Sequence, residues 1–239
     1  MTTAAGAFFF RYRNILGPVI FLIALVFARP FQPFGDHALG ALFAAAGIML
    51  VLAGQGLRVL TIGYQYIERG GRNRTVYASK LVTGGMFAHC RNPLYVGNIL
   101  IACGFALVIN AWTFYLLVLP FVLLSYIAIV ATEENFLRNE FGSAYAEYCA
   151  RVKRWWPRWQ GWSDTVAAMR FNWRRVLVKE YNTLFVTPLA LAMILAWREL
   201  RLHGTASLPG APAAGLALLA WLLGYLAVRW LKKSGRVRE

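Results

Sequence analysis

Two polar blocks in an otherwise apolar chain carry residue types that could do chemistry. The first is Arg91-Asn92-Pro93-Leu94-Tyr95-Val96-Gly97-Asn98. Asn92 is a good N-cap and Pro93 suits the first helical position, where a missing N–H costs nothing, so a helix is expected to begin sharply here. The free N–H groups and positive dipole end of that helix, with Arg91 alongside, favour a carboxylate or a phosphate. Gly97 admits close approach by a neighbouring helix or a flat ligand. The second block, Glu133-Glu134, ends an apolar run. Carboxylates at a helix C-terminal end oppose the dipole and are costly near hydrocarbon unless paired. Spacing offers Glu134 a partner in Arg138 at i,i+4. Glu133 lies about 100° round the helix, which leaves it for the amine, hydroxyls or positive charge of a ligand.

Downstream, Phe141-Gly142 reads as a helix stop, followed by Tyr145, Tyr148, Arg151, Arg154 and Trp155-Trp156-Pro157. Tyr148 and Arg151, three apart, share a face if this stretch is helical. Interfacial anchoring alone would also account for these residues. His89, three residues before Asn92, is the side chain nearby that titrates close to neutrality, and it joins the candidate set on that ground. No metal site is expected.

The elements that must position these blocks are membrane spans. Hydrophobic residues make up 59% of the 239 residues, and mean hydropathy is +0.51, so a bilayer is the natural solvent. Six apolar runs, at about 14–28, 38–57, 93–109, 112–131, 183–197 and 213–230, are long enough to be read as crossings. The fold class expected is an all-α polytopic bundle of about six transmembrane helices. Only Asn110 and Ala111 separate the third run from the fourth, so these two must be antiparallel neighbours. That hairpin brings the start of the Arg91–Gly97 helix and the Glu133-Glu134 helix end to one face of the membrane.

Charge placement tests the spans independently of hydropathy. Of the 25 basic residues, 22 fall in the N-terminal tail, the connections after the second and fourth runs, and the C-terminal end. The other three connections hold only Arg29, Arg198 and Arg201. This alternation places both termini in the cytoplasm and requires an even number of crossings. The net charge of +15 is spread between the apolar runs rather than gathered on one soluble module, so nucleic acid is not an expected partner. Cys90, Cys103 and Cys149 make no CxxC and no secreted framework, and are read as packed free thiols. No cleavage site follows the first run, which is read as a retained span. The segment Asp164–Lys179 mixes Met169, Phe171, Trp173, Val176 and Val178 with Arg and Lys, as a basic helix lying on anionic lipid headgroups would. Organisation is read as a two-span hairpin over 1–57, a core over 58–158, and over 159–239 a basic interfacial segment with a second hairpin.

The two blocks and their sequel resemble the isoprenylcysteine carboxyl methyltransferase and phospholipid N-methyltransferase superfamily. The matching residues are Gly84-Gly85, Arg91-Asn92-Pro93-Leu94-Tyr95-Val96-Gly97, Glu133-Glu134, Phe141-Gly142, Tyr145, Tyr148, Arg151-Val152 and Pro157. Upstream the likeness is looser, at Arg58 and Gly63. The resemblance implies an S-adenosylmethionine pocket roofed by cytoplasmic segments, with Arg91, Asn92, Pro93, Tyr95 and Gly97 near the cofactor. It further implies cofactor contacts at Glu133, Glu134, Tyr145 and Tyr148, and Arg151 pointing at the group that accepts the methyl. Many members carry His where this chain has Asn92, so a His base at that position is not expected and His89 is the substitute. Arg91, Glu133 and Arg151 are the expected catalytic set, acting on a membrane lipid or lipidated substrate that enters laterally. Two rivals are an NADPH-dependent membrane sterol or steroid reductase and a non-catalytic adaptor that binds lipid through its basic faces. A doubly anionic Glu133-Glu134 step repels a phosphate-rich dinucleotide and suits a cationic methyl donor, which favours methyl transfer.

Overall fold

The computed structural model describes residues 2–65, 76–204 and 211–234. Arg69, Arg72, Arg74, Arg236 and Arg238, which entered the charge alternation, lie outside the described residues. Among the described residues every regular element is helical: α1 (Thr2–Val26), α2 (His37–Tyr64), α3 (Pro93–Ile109), α4 (Leu119–Arg151), α5 (Trp162–Ala168), α6 (Trp173–His203) and α7 (Ala211–Lys233). The six apolar runs fall largely on α1, α2, α3, α4 with the helical turns just before it, α6 and α7. Among the described residues four helical stretches are long and apolar enough to cross a membrane, at Ala5–Val26, His37–Tyr64, Phe114–Arg151 and Trp173–Leu202, while Pro93–Ile109 is a shorter apolar helix. Leu42, Met49, Leu52, Leu116, Leu124 and Ile127 are each more than half exposed on the outer faces. Apolar side chains turned outward in this number fit a lipid surround.

Local chemistry explains where the helices begin and bend. Asp36 caps α2 by accepting from the Ala38 and Leu39 amides at 2.7 and 3.3 Å. Asn172 caps α6 by accepting from the Arg175 amide at 2.9 Å. Asn110 closes α3 in the left-handed region (φ 50°), and its side chain donates to the Phe31 carbonyl at 2.7 Å while accepting from Tyr115 Oη at 2.8 Å. The two-residue turn is thereby tied to the α1–α2 connection. A π-helical turn, Phe114–Val118, leads into α4. The expected stop at Phe141-Gly142 is a break within α4 rather than its end: Gly142 takes φ 49°, and helix resumes to Arg151.

Packing separates the bundle into two ends. At one end Ala24, Phe105, Val108, Ile109, Phe114, Val118 and Ile194 form the main apolar cluster, drawn from α1, α3, α6 and the π turn into α4. α2 lies on α3 through paired glycines. A Cβ on Gly47 would sit 2.6 Å from the Gly104 carbonyl oxygen, and one on Gly54 would sit 2.5 Å from that of Gly97. Small residues let the two backbones meet, which is how helices associate where lipid offers no hydrophobic drive. The opposite end carries the polar blocks.

The long connection after α4 departs from a single amphipathic helix. Its helical part is split into α5 and the first turns of α6. Phe171 and Val176 pack against α2 instead of facing lipid: the Phe171 ring occupies the space over Gly63, where a Cβ would be 2.1 Å away, and Val176 clusters with Ile62 and Leu94. Gly63 leaves room for the Phe171 ring, and the carbonyls at the end of α2 accept from Arg175 Nη1 and, at Gly63, from the Asn172 amide at 2.9 Å, which fastens this segment to α2. Trp156, Trp159 and Trp173 remain exposed.

Candidate functional site

The hairpin turn sets α3 antiparallel to α4, and the start of one meets the far part of the other. Arg91 Nε donates to Glu134 Oε1 at 3.1 Å, and Tyr95 Oη donates to Glu133 Oε1 at 2.7 Å. Two motifs about 40 positions apart therefore interlock through both carboxylates. Arg91 also donates from Nη1 to the Cys149 and Val152 carbonyls at 3.2 and 2.9 Å. The last turn of α4 is held by the same guanidinium that holds Glu134. Backbone pairing completes the join, with the Arg91 amide on the Lys153 carbonyl and the Arg158 amide on the His89 carbonyl, both at 3.0 Å.

Glu134 is deeply buried and takes a second cation: Arg154 Nη2 donates to Oε2 at 2.5 Å, and its Nε reaches both oxygens at 3.0 and 3.1 Å. Charge-assisted, forked pairs of this kind are strong and geometrically specific. The Glu134 carboxylate pushes the Arg154 guanidinium further above its ordinary value. Arg138, the partner that helical spacing suggested, is not the one used. The two arginines that take Glu134 are brought in by the tertiary fold, 43 and 20 positions away in the chain.

Around these pairs lies a cavity of about 1170 Å³. Arg91, Asn92, Pro93, Tyr95, Glu133, Glu134, Tyr145 and Tyr148 all line it. Glu133 makes no ion pair among the described residues; its oxygen takes the Tyr95 hydroxyl, which in turn accepts from Arg13 Nη1 at 3.4 Å. Asn92 stands at the N-cap position of α3, but its amide donates to the Arg154 carbonyl at 3.2 Å instead of capping the helix. The first N–H groups of α3 therefore have no side-chain cap where the helix meets the cavity. Tyr145 and Tyr148 form part of the wall from α4, with Tyr148 Oη donating to the Phe87 carbonyl at 2.7 Å.

Three expected residues stand elsewhere. Gly97 faces α2, where a Cβ would meet Arg58 Cγ at 2.7 Å, so its role here is helix approach. His89 is buried under Trp162, with Nδ1 2.5 Å from the Arg158 carbonyl and Nε2 2.9 Å from Thr165 Oγ1. It pins the segment after α4 to the start of α3 and does not line the cavity. Arg151 is exposed and outside the lining, because Tyr145, Tyr148 and Val152 take the inward face of this turn. Arg151, expected to point at the group that accepts the methyl, is thus turned away from the cavity, and Arg154 is the arginine of this segment that reaches Glu134.

Sequence reasoning passed over several of the lining residues. Arg13 comes from α1, Val76–Val82 from the stretch before Gly84, Arg175, Lys179 and Asn182 from α6, and Lys232 from the last turn of α7. Glu180, also unremarked, is buried and pairs with Arg58 at 2.5 Å. Arg58 further bonds Asn98 Oδ1 and Thr183 Oγ1, so α2, α3 and α6 meet at one guanidinium. An acidic residue in a stretch dense with Arg and Lys was the available signal for Glu180. Among the described residues no group of His, Cys, Asp and Glu is arranged to hold a metal ion. Burial pushes the Cys90 thiol above its ordinary value.

Residues 37–144 match the phospholipid methyltransferase family, part of the superfamily that the motif blocks resemble. Over 115 residues the chain is 34% identical to the cobalt-zinc-cadmium resistance protein CzcN of Cupriavidus metallidurans, an alignment covering 46% of this chain and 50% of that one. The chain thus spans half the length of that relative. No solved structure matches.

Proposed function

We propose, from the place of residues 37–144 in the phospholipid methyltransferase family, that this integral membrane protein transfers a methyl group from S-adenosylmethionine to a lipid-like acceptor at the cytoplasmic face. The observation that carries the reading is the joining of both motif blocks in one cavity wall, with Glu133 and Glu134 beside the uncapped start of α3. Six crossings, cytoplasmic termini and a core over 58–158 flanked by two hairpins belong to the same proposal, supported by the alternation of basic residues.

The residues present fit the cofactor. Its amine and sulfonium are cationic, and Glu133 is a carboxylate on the cavity wall with no ion pair among the described residues. Its carboxylate is anionic, and the first N–H groups of α3 with Arg91 offer the matching charge. A volume of about 1170 Å³ exceeds the roughly 300–1,000 Å³ usual for one small ligand, leaving room for an acceptor headgroup beside it. When bound, S-adenosylmethionine would supply an electrophilic methyl carbon, to which a lone pair of the acceptor would bond as the C–S bond breaks and its electron pair stays on sulfur. The protein's part is alignment and exclusion of water. Arg91 and Arg154 fix Glu134, and Tyr95 fixes Glu133, so both carboxylates are oriented before ligand arrives. An amine or thiol acceptor must also lose a proton, and Glu133 is the carboxylate placed to take it. A carboxylate acceptor needs no base. His89 and Arg151 are not assigned a step.

The test is binding and turnover by the purified full-length protein. S-adenosylhomocysteine is expected to raise the melting temperature in detergent while NADPH does not. Labelled S-adenosylmethionine with fractionated membrane lipid is expected to give a labelled lipid product. Stabilisation by NADPH alone would replace the reading with a reductase, and no shift with either ligand would leave an adaptor.

A further inference from the structure

One wall of the cavity comes from outside the matched family segment. The match covers residues 37–144 and α1 ends at Val26, yet Phe10, Arg13 and Asn14 of α1 line the cavity with Tyr95, Glu133 and Glu134. α1 has little freedom on α4. A Cβ on Gly6 would run into Thr132 Oγ1 and the Ala128 carbonyl, so the two helices meet there at a glycine. Phe9 and Phe121 pack edge to face at 5.9 Å, and near the other end of α1 the Thr113 hydroxyl donates to the Ala24 carbonyl at 3.1 Å. The register of α1 is pinned at both ends, and with it the height at which Arg13 stands.

The Arg13 side chain is held between two aromatic residues. Its guanidinium carbon lies 4.4 Å from the centre of the buried Phe10 ring, and Nη1 donates to Tyr95 Oη at 3.4 Å. Tyr95 Oη in turn donates to Glu133 Oε1 at 2.7 Å. A phenol has one proton to give and lone pairs that accept. By taking a lone pair, Arg13 leaves the single proton of Tyr95 for Glu133, and hydrogen bonds joined in this way strengthen one another. One hydroxyl therefore links α1, α3 and α4 at the carboxylate.

Resting on the methyltransferase reading, we propose that Arg13 is a positioning residue of the donor site: acting through Tyr95, it fixes the direction in which Glu133 presents its carboxylate to the donor's ammonium. The sign of its effect separates this role from a plain charge effect. A guanidinium near a site for a cation repels that cation, so by charge alone the removal of Arg13 would tighten donor binding. Positioning demands the opposite, a loss, and one that disappears once Tyr95 has no hydroxyl to hold.

The experiment titrates S-adenosylhomocysteine calorimetrically into the full chain in phosphatidylcholine nanodiscs. This ligand keeps the ammonium and lacks the sulfonium, so it reports on Glu133 without turnover. The forms compared are the wild type, R13M, R13K, Y95F and R13M with Y95F. R13M is expected to weaken binding about three- to tenfold, as loss of one hydrogen bond would, and the double variant is expected to bind no more weakly than Y95F. R13K, which keeps a cation and a donor over the Phe10 ring, is expected to stay within about twofold of the wild type. Thermal unfolding without ligand repeats the cycle, and there too the R13M and Y95F losses are expected not to add. Binding by R13M as tight as the wild type or tighter overturns the proposal. A double variant weakened by the product of the single losses also overturns it, since Arg13 would then act apart from Tyr95. R13K as weak as R13M overturns it as well. If no form binds S-adenosylhomocysteine while the unfolding losses still fail to add, the methyl transfer reading falls together with the donor role, and Arg13 is left as a brace of α1 on Tyr95.

Discussion

Tyr95 and Glu133 meet at 2.7 Å across the α3–α4 hairpin, the tyrosine donating and the carboxylate accepting. The contact is made from two helices rather than one, so the orientation of Glu133 depends on the hairpin being closed. If Glu133 receives the cationic part of the donor, Glu133→Gln removes the charge, and S-adenosylhomocysteine affinity should fall by about tenfold or more. Tyr95→Phe keeps the charge and loses only the hydrogen bond, and should cost a smaller, several-fold loss of affinity. Calorimetric titration in detergent gives both numbers. Equal losses would mean that charge is not what the site uses.

Glu134 answers a different question, because both of its cations are supplied by the fold. Removing it leaves Arg91 with a 13% exposed side chain and no carboxylate, so Glu134→Ala should destabilise by about 3–5 kcal/mol. Arg154→Ala should cost about 1 kcal/mol or less, since 44% of that side chain reaches solvent. Thermal unfolding of the detergent-solubilised protein separates the two. A loss at Arg154 as large as at Glu134 would show that the exposed partner, not the buried carboxylate, holds the join.

The glycine pairs of α2 and α3 make a sharper structural prediction. Gly54→Leu puts a side chain where the Gly97 carbonyl oxygen stands 2.5 Å from an ideal Cβ, so α2 and α3 must part. Gly56→Ala, two residues on, meets nothing within 4 Å and exchanges a glycine for a better helix former. Size-exclusion profiles should show aggregation or loss of the folded peak for the first and a normal peak for the second. Normal behaviour of Gly54→Leu would mean that the helices do not approach as described.

These contacts mark how far the sequence could be read. The hairpin was legible because a two-residue turn between apolar runs permits one arrangement, and from it followed that the Arg91–Gly97 block and the Glu133-Glu134 step lie at one end of the bundle, though not that Arg91 and Tyr95 bond the two carboxylates. Spacing along one helix suggested Arg138 for Glu134, and it failed because Arg154 approaches from a segment that folds back over the start of α3. The same fold-back buries His89, which its titration range and its place three residues before Asn92, where many members carry His, had nominated. Glu180 finds Arg58 across 122 positions, a separation that helical periodicity cannot bridge. Arg151 was carried by family likeness to a turn whose inward face tyrosines occupy.

Cys90 gives a pH prediction outside the membrane-spanning helices. Burial raises its pKa, so at a given pH less of it is thiolate than of an exposed cysteine, and the deficit narrows as pH rises. Alkylation of the folded protein at about pH 7.5 should leave Cys90 largely unmodified, with its rate climbing toward about pH 9. Peptide mass spectrometry against a urea-unfolded control reads the result. Modification of Cys90 at the unfolded rate would contradict its burial.

Arg58 and Glu180 offer the last test, of how α6 is joined to the matched segment. Arg58 Nε and Nη2 reach Glu180 Oε1 at 2.6 and 2.5 Å, and the Glu180 side chain has no exposed surface. Desolvation of a buried pair offsets much of its attraction, so the pair contributes little net stability compared with apolar packing of the same volume. Breaking it from one side is another matter, since the surviving charge stays buried. Glu180→Leu alone should therefore destabilise by about 3–5 kcal/mol, and Arg58→Met with Glu180→Leu should recover most of that loss. Part will not return, because Arg58 also bonds Asn98 and Thr183. Thermal unfolding of the single and double variants decides it: a double variant no more stable than Glu180→Leu would show that the arginine is held by its other partners and that the ion pair is not the tie between α2 and α6.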